Sequence, residues 1–239
     1  MTLDQRQRPR PEPVELNVLY EDDAVIAVDK PAGQVVHPTY KNTSGTLLNG
    51  VLWRYRDRPG MQPGILTRLD KGTSGVVLIA LTPELHARLQ QGHIDKEYLA
   101  VVRAAPDPPR GVISLPLARD LADRRRVVVT ERGQAAETRY AVIDRSGGIN
   151  PEGGVNQEGA FRLQAEVLCT PVTGRTHQIR VHLAAIGCPI VGDATYGEAD
   201  ERIARQALHA WRVSLRHPLT KAPLHIEAPL PADIRALLS

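Results

Sequence analysis

Aromatic residues are scarce in this sequence: one Phe (Phe161), two Trp and six Tyr in 239 residues. The core must therefore come from Val, Ile, Leu and Ala, and a hydrophobic content of 42% is enough to build one. Cysteine is nearly missing. Cys169 and Cys188 alone make neither a disulfide framework nor a metal motif, and both are expected to pack as small apolar groups. Long hydrophobic runs are missing too. The longest strongly apolar stretch, Val76–Leu81, is far short of the ~20 residues that cross a bilayer. The opening MTLDQRQRPRPEP has no apolar segment of the kind a secretory leader carries, so the cytoplasm is the expected compartment.

Catalytic signatures are few. There is no glycine-rich phosphate loop, no G-x-S-x-G elbow and no cluster of metal ligands. Chemistry on this chain is expected to run with no cofactor and no metal. The net charge of +3 is too small to argue for nucleic acid by itself, so the distribution of charge has to decide. Cations do cluster, at Arg6, Arg8 and Arg10, at Arg54, Arg56 and Arg58, and at Arg124, Arg125 and Arg126. Such runs are either solvated faces offset by neighbours such as Asp57 and Asp123, or an RNA-binding surface.

Residues 1–13 are polar and broken by proline, and read as a disordered tail ahead of a domain over residues 14–239. VELNVLYEDDAVIAVDKPAG gives two β-rich runs split by Glu21-Asp22-Asp23, a hairpin pattern. KPAGQVVHP is punctuated into an irregular connector. Thr46–Tyr55 has helical spacing of Leu48, Val51 and Leu52. Thr82 and Pro83 form an N-cap and first turn for a second helix. KEYLAVVRA reads as a strand, and the region from Gly111 to Ile143 alternates short strands with turns. DRSGGINPEGGVNQEGA reads as a long flexible hairpin loop, with FRLQAEVLCT returning as a strand. TGRTHQIRVHLAAIG reads as a helix with an apolar stripe of Ile179, Leu183 and Ile186, ended by Gly187. A strand at ALHAWRVSLRHP, a shorter one near PLHIEAPLP and a turn or helix from Ala232 complete the chain. Interspersed strands and helices without regular alternation predict an α+β fold, a mixed, mainly antiparallel sheet flanked by helices.

Three stretches can carry chemistry. In ILTRLDKGTSGVVLIA, Asp70 lies between Arg68 and Lys71 at the lip of an apolar strand. Opposite charge holds such a carboxylate ionised. It then serves as nucleophile, general base or electrostatic stabiliser, or simply closes a salt bridge. In TGRTHQIR, His177 and Arg180 share a helical face, and Arg180 can present its fork to a carboxylate or phosphate. Tyr98 stands on one strand face with Lys96 and Ala100, where it can stack on a planar ring, move a proton or serve as core.

RLDKGTSGVVLIA closely resembles the H-R-L-D-x-x-T-S-G motif of the RluA-type pseudouridine synthases. The resemblance continues in order through KPAGQVVHP, KEYLAVV, TGRTHQIRVHLAAIG, GDATYG and LHAWRVSLRHP, covering residues 16–229. It implies the pseudouridine synthase fold and conversion of uridine to pseudouridine in structured RNA, transfer or ribosomal. It further implies base flipping, no cofactor and structured RNA as the partner. Nothing in the sequence demands more than a monomer. By motif match Asp70 is the catalytic aspartate, Tyr98 the tyrosine lying against the target ring and Arg180 the cation paired with the aspartate. Arg68 matches the arginine that fills the stack once the base has left. Thr67, Arg175, His177 and the Arg124–Arg126 run are expected RNA contacts beside it. Thr67 stands where the family usually has histidine. With the first matching strand beginning near Leu16, the N-terminal RNA-binding domain many relatives carry is not expected ahead of it. The rival reading is a non-catalytic RNA-binding or RNA-folding protein on the same scaffold.

Overall fold

The computed structural model describes residues 9–39, 42–146 and 164–239, which form two compact units. Unit 1 comprises the chain up to Asp95 together with Ala210–Pro229, and unit 2 comprises Lys96–His209 with Leu230–Ser239.

In unit 1 the expected hairpin is β1 (Val18–Glu21) and β2 (Val25–Lys30), paired antiparallel. Asp22 makes the turn, its carboxylate accepting from the N–H groups of Ala24 and Val25. Next come α1 (Leu47–Arg54), β3 (Gly64–Ile65), β4 (Ser74–Ala80) and α2 (Pro83–Gln91). After the excursion through unit 2 the chain returns as β11 (Leu208–Arg216) and β12 (Pro223–Glu227). The strand order is β1-β2-β4-β11, with β12 on β11 and β3 on β4. Every residue of β4 is buried, which explains its unbroken apolar run. Val76, Leu78 and Ala80 join Val25 and Ala27 on one face, where Leu85 and Leu89 of α2 cover them. Val77 and Ile79 join Ile26 and Val28 on the other, under Leu47 and Val51 of α1. Thr46 caps α1 and Thr82 caps α2, with Pro83 at the first helical position. Of the tail expected over residues 1–13, residues 1–8 lie outside those described, while Arg10 and Glu12 are bonded to Asn49 of α1.

Unit 2 holds β5 (Ile94–Val102), most of which follows Asp95, then β6 (Arg110–Ser114), β7 (Leu117–Arg119), β8 (Val127–Val129), β9 (Glu137–Ser146) and β10 (Gln164–Pro171). The order is β5-β10-β9-β6, antiparallel throughout, with β7 and β8 as a separate two-stranded ribbon. Of the flexible loop expected over residues 144–160, Asp144–Ser146 belong instead to β9, because pairing with β10 carries the strand on, and residues 147–160 lie outside those described, as do residues 161–163 of the expected strand. Two helices, α3 (Gln178–Ala185) and α4 (Ala232–Leu238), send Ile179, Leu183, Ile234 and Leu237 into the core with Ala100, Val102 and Val167. Cys169 and Cys188 are buried free thiols, and burial pushes that of Cys169 up to about 12. The expected α+β class holds.

The helix predicted over TGRTHQIRVHLAAIG is shorter than its pattern. His177 takes a left-handed conformation (φ 55°), and α3 begins only at Gln178. His177 and Arg180 therefore do not share a helical face. Gly187 (φ 77°) ends the helix as expected, but Ile186 is 38% exposed and leaves the apolar stripe.

Candidate active site

Asp70 lies in unit 1, in the loop between β3 and β4. Its carbonyl accepts from the N–H of Thr73 at 3.1 Å, closing a tight turn. The next carbonyl, that of Lys71, is held from the KPAG segment: Gly33 N–H donates to it at 2.7 Å and the Lys30 ammonium at 3.3 Å. Lys30 is fully buried, and its charge is also solvated by the carbonyls of Pro31 (2.8 Å) and Gln34 (2.9 Å). A buried cation requires such partners. KPAG and RLDKG, far apart in sequence, thus become one structure.

Gly75 completes the motif. Its φ is +112°, and a Cβ there would collide with the backbone of Ala210 on β11. Only glycine permits both the conformation and the close approach. Lys30 faces Gly75 across the β2–β4 pairing, so the cation and the glycine fix the two sides of one crossing point.

Thr67 is 5% exposed, and its hydroxyl accepts from the N–H of Leu78 at 2.8 Å. That placement does not suit the RNA contact expected of it, because the oxygen is engaged inside the fold. Arg68, the next residue, is exposed. His37, from the KPAGQVVHP segment, has its imidazole pushed below the usual range by burial and by the charge of Arg68.

In unit 2, Tyr98 is half-buried, opposite Cys169 in the β5–β10 register and packed against the core. Burial pushes the Lys96 ammonium down. Arg180 is 6% exposed. Its Nε and Nη2 donate to the two oxygens of Asp193 at 2.6 and 2.8 Å, a bidentate fork on a buried carboxylate. Asp193 Oδ1 also accepts from the N–H groups of Thr195 (3.0 Å) and Tyr196 (3.3 Å). Gly192 (φ +75°) delivers the chain to this turn, where a side chain would strike the carbonyl of Arg205.

Tyr196 is a hub. Its hydroxyl accepts from the N–H of Val127 at 2.8 Å and lies 2.7 Å from His177 Nδ1. The guanidinium groups of Arg180 and Arg126 lie 5.0 and 5.7 Å from its ring centre. Val181 of α3 packs with Leu117 and Val127 of the ribbon, and Tyr196 lies against the same cluster. The structure thus brings Arg126, His177 and Arg180 to one aromatic ring.

The start of α3 is pinned by Gln178. Its Oε1 accepts from Thr173 Oγ1 (2.7 Å) and Arg175 N–H (3.0 Å), while Nε2 donates to Glu137 O and Thr138 Oγ1, both 2.9 Å. His182, fully buried, continues the network. Its Nε2 can only donate to the Leu115 carbonyl (3.0 Å), so Nδ1 accepts from Thr138 Oγ1 (2.9 Å). Arg175 Nε donates to Ala135 O, and Arg125 is paired with Asp123 through two 2.9 Å bonds. These two expected RNA contacts are exposed but already engaged within the fold. Arg124 and Arg126 are exposed on the same ribbon loop.

A family model of RNA pseudouridylate synthase matches residues 24–185. The chain belongs to that family.

Within that family the chain is 40% identical over 242 residues to ribosomal large subunit pseudouridine synthase D of Nitrosomonas europaea, covering 95% of this chain and 65% of that protein. It is 37% identical over 258 residues to the protein of the same name from Xanthomonas campestris, covering all of this chain and 73% of that one. Against the Nitrosomonas protein, then, it spans less than two thirds of the relative's length. The fold matches the solved structure titled human RNA pseudouridylate synthase domain containing 1, with a TM-score of 0.69 and 24% identity, covering 91% of this chain and 84% of that one.

Within the pseudouridine synthase motifs, sequence reasoning had assigned no role to Asp193, Tyr196 or Gln178. GDATYG is one of the motifs of the resemblance, and its aspartate and tyrosine are the signal that points to them. A partner for a buried arginine has to come from somewhere in the chain, and GDATYG offered the nearest carboxylate downstream of it.

Proposed function

We propose that this protein isomerises uridine to pseudouridine in large-subunit ribosomal RNA, with Asp70 as the essential carboxylate and residues 14–239 as the catalytic portion. Ribosomal rather than transfer RNA is favoured by the names of the relatives, and that work places the protein in the cytoplasm. In the reaction the N1–C1′ bond breaks, the detached base turns, and C5 bonds to C1′; C5 gives up its proton and N1 gains one. No atom is added or lost overall, so the enzyme has to supply a carboxylate, a place for the flipped base and proton transfer.

The observation that carries this reading is the construction around Asp70. The loop that carries it is tied at the adjacent carbonyl by a fully buried ammonium and a backbone N–H. Holding a reactive group in a fixed geometry is how an enzyme converts binding into rate. Tyr98 is assigned to the target ring and Arg68, exposed beside Asp70, to the vacated stack. Arg180 is assigned as the cation serving the carboxylate, its own orientation set by Asp193. Arg124 and Arg126 supply charge for the RNA backbone.

The test is release of tritium from RNA labelled at uridine C5. Label released from ribosomal RNA, and lost in Asp70→Asn, is the expected result. Release from transfer RNA alone overturns the choice of substrate. RNA binding that weakens with salt, with no release from either RNA, overturns catalysis in favour of a non-catalytic RNA binder.

A further inference from the structure

We propose that Thr67 is a positioning residue for Asp70: its hydroxyl takes the place of a strand carbonyl and sets where the catalytic loop leaves the sheet. The proposal rests on the reading of Asp70 as the essential carboxylate.

The β3–β4 pairing sets Gly64 opposite Ala80 and Ile65 opposite Ile79. One step further the ladder changes. The N–H groups of Leu66 (2.9 Å) and Thr67 (3.3 Å) both donate to the carbonyl of Leu78, so two residues face one, as in a β-bulge. The N–H of Leu78 still needs an acceptor, and Leu78 is fully buried in a strand that is buried along its whole length. Thr67 Oγ1 fills that need at 2.8 Å.

The consequence falls three residues on, at Asp70. Before it, the backbone is anchored to β4 through a side chain; directly after it, the Lys71 carbonyl is anchored by Lys30 and Gly33. Thr67 is suited to the first anchor because its β-branched side chain is stiff about χ1, so the hydroxyl direction is set with the backbone. Loss of the oxygen leaves a buried N–H without an acceptor, a state the chain relieves by shifting the bulge. Arg68 and Asp70 would move with it. A 1 Å misplacement at a reacting group is enough for a ~100-fold loss of rate.

The experiment compares wild type, Thr67→Val, Thr67→Ala and Thr67→Ser. It measures single-turnover tritium release, RNA affinity at one salt concentration and the folded fraction at the assay temperature. Val keeps the shape and removes the oxygen; Ala removes it with no risk of overpacking should Val not fold; Ser keeps the oxygen. The expected result is a release rate at least ~10-fold lower in Val and Ala, RNA affinity within ~2-fold of wild type, and recovery of most of the rate by Ser. Wild-type rates in Val or Ala overturn the proposal. So does an equal loss in Ser, a loss that appears in RNA affinity instead, or one that only tracks the folded fraction. An inactive wild type brings down the reading of Asp70 itself, whereas an active wild type alongside active Val and Ala brings down only this proposal.

Discussion

Arg180 and Asp193 meet edge to edge, Nε to Oδ2 at 2.6 Å and Nη2 to Oδ1 at 2.8 Å, with both side chains buried. Resemblance alone pairs Arg180 with the catalytic aspartate; within unit 2 its guanidinium is oriented by Asp193, thirteen residues further along α3 and its exit.

Asp193→Asn therefore removes the charge that balances a buried guanidinium and weakens the fork. The expected cost is ~3–5 kcal/mol, the usual penalty for breaking a buried pair from one side. Urea unfolding checks the stability, and tritium release at a temperature where the variant remains folded is expected to fall as well.

Tyr196→Phe keeps the ring under Arg180 and Arg126 but leaves the N–H of Val127 without its hydroxyl acceptor. The expected stability loss is small, about 1–2 kcal/mol. The ribbon carrying Arg124 and Arg126 is expected to loosen, raising the KM for RNA more than it lowers kcat. Steady-state kinetics with a ribosomal RNA fragment separate the two.

Gly75→Ala faces both a forbidden backbone conformation and overlap with Ala210. Strain and overpacking together are expected to cost ~3 kcal/mol or more. Thermal unfolding reads this directly, and Gly174→Ala, where a Cβ meets nothing within 4 Å, serves as the comparison.

His182 sets a pH dependence. Burial holds its imidazole below the usual 6.5, against the opposing effect of the bond to Leu115. The unfolded chain therefore takes up this proton first as pH falls. The stability His182 confers is complete above about pH 6.5 and is lost as pH falls from there through the lower folded value. Melting temperatures from pH 7.5 to 5.5 are expected to decline in wild type and to decline less in His182→Asn.

Contacts between residues distant in the chain explain what the local pattern does not carry. The periods of α1, α2 and β4, the cap at Thr82 and the stop at Gly187 are agreements between residues a few positions apart, and the chain carries them openly. His177 lies outside α3 although the helical pattern runs smoothly through it. Its left-handed backbone accompanies contacts with Tyr196, nineteen residues away, and neither propensity nor period carries that information. Ile186 fits the apolar stripe by spacing, but α3 ends before it can be buried.

By itself the sequence determined most of the elements, the α+β class, the family and the identity of the lone carboxylate in RLDKGTSG, because local periodicity and a contiguous motif need no knowledge of the fold. Only the tertiary structure decided the partners: Lys30 on the carbonyl of Lys71, Thr67 on the N–H of Leu78, and Asp193 under Arg180. Buried polar groups have to be satisfied by whatever the fold brings near, and which groups those are depends on how strands and loops distant in the chain come to lie side by side.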